Sequence, residues 1–296
     1  MRFGGRRISG NVGMQRGGGG GGFGGFGGGG GRFPMGGGGM GCGGIAILLI
    51  LALIFGINPL SMMGDGGQMV APGGQVERTG AEEACGLSET HRFSCQVLAS
   101  TEDQWARIFQ ANGQQYRPAS MDFYEQSGVS GCGAAQRAMG PFYCPSDQRI
   151  YIDLDFFNEL ARRFKAPGDF AQAYVIAHEV GHHVQTITGT ADRIKRAQAR
   201  AGRAQSNAMQ VAMELQADCY AGVWASTERA AFEPGDVEEG LRAASAIGDD
   251  TLQKQTQGYA VPESFTHGTS QQRMQALQRG LQSGDPAACE VYTASI

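Results

Sequence analysis

His178-Glu179-Val180-Gly181-His182 constrains this chain more than any other stretch. Residues four apart share a face on an α-helix, so the spacing dictates a helix that carries two imidazoles side by side. Both rings can then bind one zinc ion, which accepts histidine nitrogen readily. Glu179 is turned about 100° from His178 and can still reach a water beside that ion. Deprotonating such a water for attack on an amide carbonyl is work suited to a carboxylate. The residues just before, Ala173-Tyr174-Val175-Ile176-Ala177, are apolar, as a buried helix requires.

A second helix, read over about 204–227, contains Glu214-Leu215-Gln216-Ala217-Asp218. An acidic pair one turn apart is ordinarily a solvated face. Here Ala208, Val211, Ala212, Leu215, Tyr220, Val223 and Trp224 make the helix too apolar for that, and buried acids need a partner. Glu214 is therefore expected as the third metal ligand, leaving the fourth position open for water. Asp218 is expected to accept a hydrogen bond from the far nitrogen of a ligand histidine, which orients the ring. His267 is either a donor to the oxyanion of the reaction or a loop or cap histidine, and the sequence leaves both open. His183 follows His182 and points elsewhere, as a structural residue. His91, Asp249, Asp250 and Tyr259 receive no role. The expected set is thus His178, His182 and Glu214 around one zinc per chain, with Glu179 and His267 catalytic and Asp218 supporting.

The rest of the chain is uneven. Residues 1–42 are dominated by glycine and are expected to form a disordered tail, because too little apolar surface is present to offset ordering. Ile45 to Ile57 is an unbroken apolar run, and no charged residue occurs from Phe33 through Gly64, so residues 43–63 have the length of a membrane anchor. Arg2, Arg6, Arg7, Arg16 and Arg32 precede it without an acidic residue, which places the tail on the cytoplasmic side. Residues 64–80 read as a linker, and residues 81–296 as the folded domain on the other side. Six of seven cysteines lie beyond the run and allow 15 pairings, among which the sequence does not choose; proximity favours Cys85–Cys95 and Cys132–Cys144, leaving Cys219–Cys289. The net charge of −4 and scattered basic residues argue against a nucleic-acid partner. The oligomeric state is not legible.

Within the domain, Ser100 and Thr101 before Glu102 suggest a helix start. Phe142-Tyr143-Cys144 and Arg149 to Leu154 flank a turn and suggest a β-hairpin, with Ile150–Leu154 as an edge strand available to an extended peptide. A short helix is expected near 155–164, the metal helix over about 170–188, a basic helical stretch over 194–203, and further helices over 236–246 and 270–279. The fold class expected is α+β, mostly helical, with a small antiparallel sheet.

Four stretches together, GPFYCPSDQRIYIDLDFF, AYVIAHEVGHHVQ, ELQADCYAGVW and SFTHGTSQQR, closely resemble the bacterial putative neutral zinc metallopeptidases. The similarity covers nearly the whole chain. It implies a zincin-like fold, a zinc cofactor and membrane association. On the matching positions it implies His178 and His182 as ligands, Glu179 as base and Glu214 as third ligand. The setting implied is a single-pass protein of the bacterial inner membrane with a periplasmic domain and a protein or peptide substrate. Two alternatives are a catalytically silent zinc-stabilised envelope binding module and a zinc amidase acting on cell-wall material.

Overall fold

The computed structural model describes residues 1–16 and 77–296. The first of these segments is not a tail. Val12–Met14 (β1) pairs in parallel with Ser120–Phe123 (β2), with Val12 opposite Met121 and Met14 opposite Phe123. Met1, Phe3, Val12 and Met14 are all buried in the core. Buried acids anchor the backbone between them: Ser9 and Asn11 both donate to Glu102, and Gln15 donates to Asp122. The expectation of a disordered stretch from residue 1 is therefore corrected for residues 1–16, where the apolar side chains of Val12 and Met14 reach the sheet. The Arg16 backbone N–H donates to the Glu77 carbonyl at 3.2 Å, so the ends of the two described segments lie side by side.

Ser127–Ser130 (β3) and Gly133–Gln136 (β4) form a separate antiparallel hairpin. Phe142–Cys144 (β5) and Arg149–Ile152 (β6) form the expected hairpin, and the main sheet runs β1-β2-β6-β5. β1, β2 and β6 are mutually parallel and only β5 is antiparallel, so the sheet is mixed rather than antiparallel. Parallel neighbours need long crossovers, and here Ala81–Gly86 (α1) with Glu89–Ala111 (α2) supplies one of them. The arrangement also corrects the edge: β6 lies between two strands, and β5 is the outer one.

The remaining elements are helices: Asp155–Arg162 (α3), Asp169–Ile187 (α4), Thr190–Gln198 (α5), Arg203–Thr227 (α6), Asp236–Ala246 (α7), Asp249–Gln257 (α8) and Ser270–Ser283 (α9), with a 3-10 segment at Pro286–Tyr292. The domain is thus mostly helical and α+β. α2 begins at Ser88, whose hydroxyl accepts the His91 N–H, and not at Ser100. Ser100 and Thr101 lie mid-helix because their hydroxyls have other partners: Trp224 donates to Ser100, and Thr101 donates to the Leu98 carbonyl. Disulfides join Cys85–Cys95 and Cys132–Cys144, the pairs that proximity favoured, and Cys219–Cys289, the pair left over. Among the described residues no helix is long and apolar enough to cross a membrane, and the expected anchor at 43–63 lies outside them.

α6 is the central helix, with α4 on one side and α9 on another. α9 approaches so closely that a β-carbon on Gly280 would overlap the Cys219 carbonyl.

Candidate metal centre

α4 and α6 cross at Gly181, where a β-carbon would stand 2.9 Å from both Cα and the carbonyl oxygen of Ala217. Only glycine permits that approach. It matters because Ala217 lies between Glu214 and Asp218, so the close crossing brings both acids against His178, one turn before Gly181, and His182, next to it.

The three expected ligand side chains converge. The Nε2 atoms of His178 and His182 are 3.1 Å apart, and one Glu214 oxygen is 3.2 Å from the first and 3.5 Å from the second. Ligands bound at 2.0–2.1 Å to a tetrahedral zinc ion stand about 3.3 Å from one another. Two imidazoles and one carboxylate in a triangle of that size fit the ion. The other Glu214 oxygen accepts from Gln210 at 3.1 Å, which holds the carboxylate in place. Glu179 lines the same cleft as all three.

Asp218 is where the supporting role expected of it requires. One of its oxygens is 2.8 Å from His178 Nδ1 and accepts from Tyr174 at 2.6 Å. Arg273, on α9, donates to both oxygens at 2.8 and 2.9 Å. Asp218 and Arg273 are essentially inaccessible, so each needs the other. Sequence reasoning missed Arg273, Tyr174 and Gln185. Arg273 had one signal, a lone cation facing the same helix side as Ala276 and Leu277. Gln185 accepts from His182 Nδ1 at 2.9 Å.

The charges follow from this packing. Burial alone would lower His182, but the Glu214 carboxylate beside it pushes it up to about 9. The same pair holds Glu214 well below the usual carboxylate range against the cost of its burial. Burial would likewise lower His178, and the Asp218 charge raises it. Burial would raise Asp218, but Arg273 and His178 bring it down to about 2. Without an ion, then, His182 is held as a cation beside the Glu214 carboxylate, and a divalent cation could take the place of that proton.

His267 lines the cleft as well. Its Nδ1 is 3.2 Å from one Asp249 oxygen, and the other Asp249 oxygen accepts the backbone N–H groups of Thr266, His267 and Gly268. Asp249, which sequence reasoning left without a role, thus fixes the whole loop. Burial would raise its carboxyl, but the bonds from His267 and the backbone hold it low. His183 is fully buried and bonded to the Arg117 carbonyl and Tyr143, away from the cluster. A second acidic trio, Asp169, Asp236 and Glu239, lies against the Met1 amino group, which is 2.7 Å from Asp169.

The comparisons agree with this geometry. The family model described as putative neutral zinc metallopeptidase matches residues 1–292, which include β1. Relatives are the uncharacterized protein YpfJ of Escherichia coli K12, 45% identical over all of both chains, and the uncharacterized protein Rv2575 of Mycobacterium tuberculosis H37Rv. The latter is 39% identical over 82% of this chain and 86% of its own. No solved structure matches. With the motif, the donor triangle and the full-length match in agreement, this chain belongs to the putative neutral zinc metallopeptidase family.

Proposed function

We propose that the protein is a zinc-dependent peptidase that hydrolyses protein or peptide amide bonds at this site. The observation that carries the reading is the convergence of His178, His182 and Glu214 in one cleft with a glutamate, Glu179, that is not needed as a ligand. A purely structural zinc site, as in a silent binding module, has no use for that fourth group. Bound zinc supplies Lewis acidity toward the scissile carbonyl and the attacking water. Glu179 takes the proton from the water and returns it to the leaving amine. His267, held by Asp249, donates to the oxygen on which negative charge develops. Among the described residues β5 is one of the two outer strands of the main sheet, and it borders the cleft through Phe142 and Tyr143, so it offers an extended peptide a backbone to pair with. The cleft holds about 450 Å³, and Phe142, Phe156, Phe164, Val175 and Leu252 give it walls suited to an apolar side chain.

The test uses full-length protein, because cutting at residue 81 would remove β1. Casein cleavage is expected, abolished by chelator. Glu179→Gln should lower kcat by about 10²–10⁴ with zinc retained, and His267→Ala by about 10²–10³. Cleavage of peptidoglycan but not casein favours the cell-wall amidase. Full activity in Glu179→Gln rejects the mechanism.

We also propose that residues 1–16 and the domain face the same side of any membrane that the apolar run engages, since β1 cannot pair with β2 across a bilayer. A tail on the side opposite the domain is not carried forward. In bacterial cells, cysteines placed at exposed Gly4 and Tyr259 should react alike with a membrane-impermeant maleimide. Opposite labelling of the two would reject this topology.

A further inference from the structure

Gln185 is one turn beyond His182 on α4 and fully buried. Its amide nitrogen donates to the Met213 carbonyl at 2.8 Å and to Gln216 Oε1 at 3.1 Å. A carbonyl can only accept, so the Met213 contact fixes which end of the amide is nitrogen. The oxygen must then face His182 Nδ1, 2.9 Å away, and that ring nitrogen must be the donor. Nε2, the atom that faces His178 and Glu214, is therefore the nitrogen with which His182 can bind an ion. The same argument orients the next amide. Gln216, also fully buried, donates to Thr293 Oγ1 at 2.9 Å and lies 3.5 Å from the Cys289 carbonyl, another obligate acceptor. Cys289 is bonded to Cys219, two turns of α6 from Met213.

We propose that Gln185 is the positioning residue for His182, and that the C-terminal segment, stapled to α6 by Cys219–Cys289, sets metal affinity through Gln216 and Thr293. Gln185 grips the ring of one expected ligand and the backbone carbonyl next to another, Glu214, so it fixes the spacing of the two helices where they share the ion. Gln216 holds the Gln185 amide from the side away from the cleft. Nothing in this chain of bonds carries charge until Glu290, which reaches the relay at its outer end. The relay therefore acts by direction and distance.

The inference rests on His182 as a ligand, and the experiment separates the two. Zinc affinity of the full-length protein is measured by chelator competition, together with the visible spectrum of the cobalt-substituted form and a thermal unfolding curve of the metal-free form. Gln185→Leu is expected to weaken zinc binding about 10- to 100-fold and to alter the cobalt spectrum. Thr293→Val, which touches neither histidine nor Gln185, is expected to weaken it several-fold. Thr101→Val, which deletes an equally buried hydroxyl outside the relay, is expected to leave it unchanged. If His182→Ala binds zinc as the parent does, the site reading itself fails. If His182→Ala loses zinc while folded Gln185→Leu or Thr293→Val stays within twofold of the parent, the relay is overturned and the site stands.

Discussion

His178 and His182 occupy successive turns of one helix, yet their outer nitrogens are held by opposite kinds of chemistry. On the His178 side stands a fully formed ion pair, Asp218 with Arg273, capped by Tyr174. On the His182 side stand two neutral amides and a hydroxyl. An ionic clamp in a buried place is strong only while complete, because losing one member leaves a desolvated charge. A neutral relay risks less when broken but relies on each amide being correctly turned. The site thus combines a support that neutralises charge with one that supplies direction. The first comes from α9, and the second from the disulfide-bound C-terminal segment.

The comparison is broken most severely at Arg273. Arg273→Met should destabilise the metal-free protein by about 3–5 kcal/mol, because Asp218 loses both guanidinium bonds while buried. Gln185→Leu should cost less, about 1–3 kcal/mol, since hydrogen bonds are lost but His182 keeps its Glu214 carboxylate and no charge loses its ionic partner. Denaturant unfolding of the two variants checks the ranking, and equal losses would erase the distinction. A milder test is pH. His182, raised to about 9 by Glu214, is protonated at neutral pH without metal, and zinc must displace that proton. Apparent zinc affinity should therefore rise with pH, about tenfold or more per unit between pH 6 and 8, and flatten as pH passes about 9. Neither support should contribute to the slope: Asp218, at about 2, stays ionised throughout, and the Gln185 amide has no proton to exchange in this range. Calorimetric titration at several pH values reads the slope, and a flat profile would contradict the ion-paired metal-free site.

How legible each part was depends on how far its partners lie along the chain. His178, Glu179 and His182 form a helical signature within five residues, and Glu214 with Asp218 stands out because acids on so apolar a helix demand a partner. Two of the disulfides followed proximity, with partners 10 and 12 residues apart, and the third was the pair left over. Arg273 did not announce itself, since its partner lies 55 residues away and its own helix reads as an ordinary amphipathic one. Gln185 and Gln216 look like unremarkable polar residues until their amides are seen turned by carbonyls from another helix. Ser100 and Thr101 misled for the reverse reason: local pattern marks a helix start, but Trp224 holds the Ser100 hydroxyl mid-helix and Thr101 turns back to the Leu98 carbonyl of its own helix.

By itself, then, the sequence determined the metal-binding pattern, the apolar helices that carry it and the family. Those are properties of residue type and short spacing, and local geometry suffices to read them. The tertiary structure alone decided that residues 1–16 complete the sheet, that β5 rather than β6 is the outer strand, and which groups stand behind each histidine. Strand order and buried hydrogen bonds join residues far apart in the chain, and their free energy exists only once the chain has closed on itself.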